Sequence, residues 1–147
     1  MFDVVSGIGV VFAKHVGTGT SVSYALWLEN GTLRGVVGDA SGFGTVLQTS
    51  FSPAPKRWYH LAHTFDDSTK QQALYADSVQ IATGTTSKSA GYDALPLLLG
   101  CNTRNGVLDY FLQGRIDEAA IYNRALSTSA IASIYNAGAA GKRLPVS

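Results

Sequence analysis

The segment 102–110 carries the densest group of side chains that could bind a ligand. Within nine residues it supplies two amides, a guanidinium, a carboxylate and a phenol, from Asn102, Asn105, Arg104, Asp109 and Tyr110. Amide, guanidinium and carboxylate groups pair with hydroxyl groups, and an aromatic ring offers a flat apolar surface. These residue types make the segment a candidate site for a ligand that carries hydroxyl groups. The alternative interpretation is a solvated loop without a ligand.

Four residues elsewhere in the chain are further candidates for ligand binding. Trp27 lies opposite the aliphatic side of its predicted strand, so its ring is either a stacking platform for a ligand or a side chain covered by the chain. Asp39, Tyr92 and Asp93 lie in other predicted loops that could converge on the segment 102–110.

The adjacent acids Asp66 and Asp67 are a possible cluster for a hard cation. Calcium takes about six to eight oxygen ligands. A polar turn is the favoured interpretation of this pair, and Asp66 is kept as a candidate calcium ligand.

The histidines lack the spacing of a zinc site. His60 and His63 are three residues apart on a predicted strand, so they point to opposite faces and cannot bind one ion together. We expect them to be packed or hydrogen-bonded. His15, at a strand end, is expected to be solvated.

The residues do not form a catalytic set. Glycoside hydrolysis needs two carboxyl groups flanking one cleft, whereas Asp117 and Glu118 are adjacent and point to opposite faces of an extended strand. No G-x-S-x-G motif occurs, and Cys101, the single cysteine, has no patterned histidine partner and is expected to be a buried thiol. The sequence predicts a protein that is not an enzyme.

Composition limits the class of partner. Charged residues make up 14% of the 147 residues and the net charge is +1. An average soluble domain has about 25% charged residues, and nucleic-acid-binding proteins carry basic patches. We expect one domain spanning 1–147, with a tail at 139–147, and neither nucleic acid nor membrane as a partner. The first residues lack the basic region and cleavage site of a signal peptide.

Turn signals separate short β-compatible runs along the chain and predict an antiparallel sandwich that ends in one helix. The Asn30-Gly31 pair is the strongest hairpin signal. The run 58–65 has bulky residues on both faces and predicts a strand in the middle of a sheet, while 102–109 predicts a loop. The predicted strands span 8–15, 22–29, 32–38, 45–51, 58–65, 72–76, 79–83, 95–101 and 115–123.

The end of the chain predicts the helix. Ser127 is a good N-cap, Ile131, Ile134 and Tyr135 follow at helical spacing, and Gly138 can end the helix. We expect the apolar side of this helix to lie over an end of the sheets.

Four motifs resemble those of one family. The stretch GRIDEAAIYNRALSTSAIASIY at 114–135 resembles the closing motif of bacterial laminin-G-like, concanavalin-A-like jelly-roll domains. WYHLAHTFD at 58–66, LYADS at 74–78 and LLG at 98–100 resemble its earlier strands, so the resemblance covers about 56–138.

The resemblance implies an all-β, two-sheet antiparallel jelly roll with one C-terminal helix. It also implies ligand or calcium sites on the concave face or in the rim loops, and an extracellular or cell-surface location. Asp117 stands at an acidic position of the closing motif, where a structural role is the main interpretation and a calcium ligand the minor one. Ser78 stands where the family usually has Gly, so we expect a different or mildly strained turn.

The chain departs from the family at its start, because the resembling domains open with one or more additional strands before the equivalent of 8–15. A sheet without its opening strand has a bare edge, and bare edges pair with other chains. We expect either a homodimer that fills this edge or a trimmed sandwich with a shielded edge.

The function predicted is non-catalytic recognition of a glycan, with calcium as the one candidate cofactor. The alternative is a structural or protein-interaction domain that associates with itself through its sheet edge. A small-ligand enzyme is the third and weakest hypothesis.

Overall fold

The computed structural model describes residues 1–4, 6–104 and 106–138, so Asn105 and the predicted tail at 139–147 lie outside the described residues. The described part is an antiparallel β-structure that ends in one helix. Its elements are β1 Ile8–His15, β2 Val22–Glu29, β3 Thr32–Asp39, β4 Gly42–Phe43, β5 Leu47–Ser50, β6 Leu61–Asp66, β7 Gln71–Ala76, β8 Val79–Thr85, β9 Leu97–Leu99, β10 Asn102–Arg104, β11 Val107–Asp109 and α1 Thr128–Ala137.

The larger sheet has the strand order β4-β3-β2-β1-β9, with β5 also paired to β3. Its centre is the β2–β3 hairpin, whose turn residues Asn30 and Gly31 both have positive φ, at 48° and 77°. This is the two-residue turn that the Asn-Gly pair predicts, because its twist matches the twist of the flanking strands. The turn sets the register, with Glu29 opposite Thr32 and Trp27 opposite Arg34.

The smaller sheet has the order β6-β7-β8 and packs on one face of the larger sheet. The core between the sheets is built on Phe2, Leu26, Leu28, Leu33 and Leu74, all buried. The sheets approach closely where β3 carries a glycine: a Cβ at position 35 would lie 2.9 Å from Leu74 Cδ2 and 3.1 Å from the His63 ring.

Helix α1 covers the outer face of the smaller sheet. The Ser127 side chain accepts a hydrogen bond from the Ala130 backbone N–H at 3.2 Å, which confirms it as the N-cap, and Gly138 ends the helix with φ 50°. Ile131 is buried in a cluster with Ala73 and Tyr75. The expectation that the helix lies over an end of the sheets was wrong, because its one fully buried side chain packs on the face of β7. No helix in the described residues is long and apolar enough to cross a membrane.

The predicted strand 115–123 is not a strand in the structure. Just before it, Phe2 and Gly114 form an isolated antiparallel bridge, and Arg115 exchanges two backbone hydrogen bonds with Met1, both of 2.9 Å, without continuing into a strand. Ile121 and Tyr122 are 55% and 48% exposed. The residue types favour extended backbone, but a strand also needs a neighbour for its backbone groups, and residue types alone do not supply one.

The predicted mid-sheet strand 58–65 begins only at Leu61, and within the described part of the chain β6 pairs with β7 alone. The prediction that both its faces are covered was correct for β6 itself, whereas Trp58, which precedes the strand, is 51% exposed. Leu61 packs in the core between the sheets and Ala62 packs beneath α1. The position in the sheet was wrong, because hydrophobic periodicity reports which faces are covered and not which edges are paired.

Three local predictions also need correction. The predicted loop at 102–109 contains the hairpin β10–β11, with Asn102 opposite Asp109. His15 was expected to be solvated, but it is 6% exposed because the β10 strand covers it. Cys101 is half-buried rather than buried.

The turn at Ser78 has the strain that the sequence predicts. Asp77 and Ser78 both have positive φ, at 47° and 69°, a backbone region where a glycine would be free of strain.

His63 lies between the sheets as an uncharged ring. Its Nε2–H donates to Gln72 Oε1 at 3.1 Å, and the Gln72 amide donates to the Thr45 carbonyl at 2.8 Å. Burial lowers the pKa of His63 from 6.5 to about 4, against the smaller upward effect of Gln72. This agrees with the expectation of a packed, hydrogen-bonded histidine.

We predict that His63 makes the domain sensitive to mild acid. Between pH 6.5 and pH 4 the unfolded chain binds a proton at His63 that the folded chain does not, so stability falls as pH falls. The loss should reach about 3 kcal/mol over this window, at about 1.4 kcal/mol per pKa unit. Urea denaturation at pH 6.5 and pH 4 measures this loss.

The matched variants are His63→Gln and His60→Gln. His63→Gln should lower stability at neutral pH and flatten its dependence on pH, while His60→Gln should leave that dependence in place. An unchanged pH dependence in His63→Gln would contradict the assignment.

Candidate functional site

One candidate surface lies on the outer face of the larger sheet, turned away from the smaller sheet. Its floor consists of small apolar residues, Val10, Ala13, Ala25 and Val36, all buried. Trp27, Val46 and Tyr110 are partly buried and pack against this floor. Alternation along β2 places Trp27 here, because its neighbours Leu26 and Leu28 point into the core.

Trp27, Glu29 and Arg34 form a connected group on this face. Trp27 Nε1–H donates to Glu29 Oε2 at 3.2 Å, and Arg34 Nη1 lies 3.0 Å from the same oxygen. The Arg34 Nε atom is buried and has no hydrogen-bond partner among the described residues. The Glu29 carboxylate therefore holds the edge of the Trp27 indole in place. The Arg34 guanidinium still has one N–H, at Nε, without a hydrogen-bond partner among the described residues.

The β10–β11 hairpin supplies a second group beside the same floor. Arg104 Nη2 lies 2.9 Å from Asp109 Oδ2, and the Arg104 guanidinium carbon lies 5.6 Å from the centre of the Tyr110 ring. The Val10 backbone N–H donates to the Tyr110 carbonyl at 3.1 Å, and Val10 stands opposite Trp27 in the β1–β2 register. Val10 thus links the two aromatic residues through the backbone.

His15 anchors this hairpin to the end of β1. Its Nε2 bonds the Asn102 side-chain carbonyl and lies 3.0 Å from Thr103 Oγ1. Asn102 is therefore a structural support of the hairpin, while Arg104, Asp109 and Tyr110 carry its exposed polar groups.

The remaining candidates, Asp39, Tyr92 and Asp93, form a separate group. Hydrogen bonds from Ser41 and the ion pair with Lys88 at 2.9 Å lower the pKa of Asp39 to about 2. Tyr92 is 72% exposed, with its ring edge toward Tyr24 at 6.5 Å.

Both groups contact the end of β1, but they contact opposite faces of this strand. Lys14 forms an ion pair with Asp93 at 3.0 Å, and the next residue, His15, bonds Asn102. Because adjacent residues of a strand point to opposite faces, the predicted convergence on one site is not observed.

Neither candidate calcium ligand belongs to an ion-binding cluster. Asp66 Oδ1 accepts hydrogen bonds from the Ser68 backbone N–H at 2.9 Å and from its hydroxyl at 2.6 Å, the arrangement of a polar turn. Asp117 is exposed and accepts from the Glu118 N–H at 2.8 Å. The described residues contain no group of three or more His, Cys, Asp or Glu side chains that could hold a metal ion.

Sequence reasoning missed Glu29 and Arg34 as partners of Trp27, although a signal was present. A two-residue turn at Asn30-Gly31 places Glu29 opposite Thr32 and Trp27 opposite Arg34. His15 as an anchor could not be found this way, because its partner Asn102 is far along the chain.

A family model described as the concanavalin A-like lectin/glucanases superfamily matches residues 2–132. Compared with curated protein sequences, the chain has no significant match.

Several solved structures share the fold at low sequence identity. The Ruminococcus gnavus IT-sialidase CBM40, solved bound to α2,3 sialyllactose, is similar with a TM-score of 0.71 and 19% identity, over 89% of this chain and 76% of that one. A heptameric SAP-like pentraxin from Limulus polyphemus has a TM-score of 0.64 and 16% identity, over 88% of this chain and 63% of that one. These likenesses show the jelly-roll fold.

We predict that His15→Leu destabilises the β10–β11 hairpin. Removing the imidazole takes one hydrogen-bond partner each from the Asn102 side chain and the Thr103 hydroxyl, and the expected loss is about 1–2 kcal/mol in the free energy of unfolding. Urea denaturation gives the loss, and hydrogen exchange should show faster exchange at the Thr103 amide.

A double-mutant cycle with Asn102→Leu provides the control. The two single losses should not add, because both variants remove the same contact. Additive losses would show that His15 does not anchor the hairpin.

Proposed function

This chain belongs to the concanavalin A-like lectin/glucanase superfamily, and from that premise we propose that it is a non-catalytic glycan-binding module. The observation that carries the proposal is the pair of aromatic residues, Trp27 and Tyr110, each beside an arginine and a carboxylate on the outer face of the larger sheet.

The chemistry of this face suits an oligosaccharide. An aromatic ring can cover the C–H side of a sugar, and an Arg–carboxylate pair offers donors and acceptors for its hydroxyl groups. Glu29 holds the Trp27 indole edge, so little side-chain entropy would be lost on binding. Arg104 is 60% exposed at its side chain, which leaves the guanidinium accessible to a ligand.

The fold neighbours support the same class of ligand. The CBM40 structures that resemble this chain include complexes with α2,3 and α2,6 sialyllactose. Two arginines on one face would also suit an acidic sugar, so sialylated and neutral oligosaccharides are both appropriate probes. We infer that the module is non-catalytic because the sequence contains neither a patterned pair of catalytic acids nor a nucleophile motif.

We predict that a glycan perturbs Trp27 and not Trp58, the other tryptophan. Trp58 is 51% exposed and precedes β6 of the smaller sheet, so Trp58→Phe should bind glycans normally and leave Trp27 as the sole indole fluorophore. The probes are α2,3-sialyllactose, α2,6-sialyllactose and lactose, chosen before wider array screening. A saturable change in emission from the Trp58→Phe variant is the expected result.

Two further variants locate the site. Trp27→Ala should weaken binding at least about tenfold, or about 1.4 kcal/mol. Because this change also uncovers the floor, Arg104→Gln serves as a second variant at an exposed position, and it should weaken binding without lowering Tm. Titration with calcium and with a chelator shows whether the ion contributes.

Array screening decides the proposal. Absence of binding to any glycan, or binding that survives both Trp27→Ala and Arg104→Gln, would contradict the proposed site. Release of a shortened sugar during incubation would contradict the non-catalytic assignment.

A further inference from the structure

The turn between β2 and β3 is bonded to two other segments of the chain as well as to its own strands. The Asn30 backbone N–H donates to the Gly7 carbonyl at 2.9 Å, and the Gly7 N–H donates to the Asn30 side-chain oxygen Oδ1, also at 2.9 Å. On the other side, the Gly31 carbonyl accepts from the Phe51 N–H at 2.8 Å. A chemical change in this turn would therefore disturb both segments and the hairpin.

The two turn residues are also a reactive pair. Asn is one of the thermally labile side chains, because the backbone nitrogen of the next residue can attack its amide carbon. Gly31 supplies that nitrogen without a Cβ to obstruct the approach. The Gly31 N–H donates to no acceptor among the described residues, and Asn30 is exposed to water.

We propose that Asn30 is a site of spontaneous covalent modification of this protein. The Gly31 nitrogen bonds to Asn30 Cγ while the bond from Cγ to the side-chain nitrogen breaks. Ammonia leaves with the proton released by the Gly31 nitrogen, and a succinimide ring remains. Water then opens the ring at either of its carbonyl carbons, so the reaction consumes one water and needs no oxidant, reductant or enzyme.

The two ways of opening the ring have different consequences for the hairpin. One gives aspartate, and an Asp-Gly pair is also favoured in a two-residue hairpin turn. The other gives isoaspartate, in which the main chain passes through the side chain and is longer by one carbon atom. The turn that pairs Glu29 with Thr32 cannot close in the same geometry around this longer chain. The alignment of Trp27 with Arg34 depends on that pairing, so isoaspartate breaks the register.

The native contacts slow the modification. Asn30 and Gly31 both have positive φ, and Gly7 holds the Asn30 side chain. The Asn30 side chain and backbone rotate out of this arrangement before the ring can close. The reaction therefore proceeds from molecules in which the end of the hairpin has opened, a local event that occurs more often than global unfolding.

The test follows the full chain in mildly alkaline buffer, folded and in urea, by peptide mapping with mass spectrometry and an assay for isoaspartate. The peptide that contains Asn30 should convert from amide to acid about tenfold to a hundredfold more slowly in the folded chain than in urea. Asn30→Gly keeps a favoured Gly-Gly turn and should not convert at this peptide. The second Asn-Gly pair of the chain, at 105–106, remains in this variant, and mapping separates the two peptides.

The Asn30→Asp variant separates the effect of the new charge from that of the longer main chain. The isoaspartyl form, isolated by chromatography, should melt about 5 °C or more below the parent, whereas Asn30→Asp should stay within about 2 °C of it. The Phe51 amide should exchange at least about tenfold faster in the isoaspartyl form only. None of these measurements uses a glycan, so their outcome does not depend on the proposed function.

Two results would overturn the proposal. One is an unmodified Asn30 in the folded chain after about a hundred half-lives of the reaction in urea. The other is an isoaspartyl form as stable as the Asn30→Asp variant.

Discussion

The register of the β2–β3 hairpin is the constraint on which both the core and the candidate site depend. The turn at Asn30 and Gly31 places Leu26, Leu28 and Leu33 towards the smaller sheet. The same register places Trp27 and Arg34 side by side on the opposite face. A shift of one residue would reverse every side chain of a strand, so the core and the polar face could not both form in another register.

The outer face is built from parts of different rigidity. Trp27, Glu29 and Arg34 lie on two central strands whose inner side chains are fully packed, so their relative positions are set by the sheet. The hairpin with Arg104 and Tyr110 is a short two-stranded unit, which is marginal by itself. His15 and the Val10–Tyr110 backbone bond attach it to β1. A ligand that touches both parts would gain specificity from this attachment.

The faces and the edges of the smaller sheet differ in how completely they are contacted by the rest of the chain. The inner and outer faces of β6 are covered by the larger sheet and by α1, whereas among the described residues β6 is hydrogen-bonded along one edge only, to β7. Burial of faces is driven by apolar area, while pairing of edges is driven by backbone hydrogen bonds. Burial of a face and pairing of an edge can therefore occur separately, and in β6 both faces are covered while pairing is limited to one edge among the described residues.

The sequence by itself determined the features that local chemistry encodes. Asn30-Gly31 specified a turn and its register, alternation along β2 separated Trp27 from the leucines, and Ser127 specified the start of the helix, because each signal involves residues close in the chain. The tertiary structure alone decided which edges pair, that 115–123 does not form a strand, that His15 is buried against Asn102, and that Tyr92 and Tyr110 belong to separate groups. These outcomes depend on contacts between segments that are distant in the sequence. The residue types of a segment indicate which of its faces is apolar, but they do not indicate which other segment packs against it.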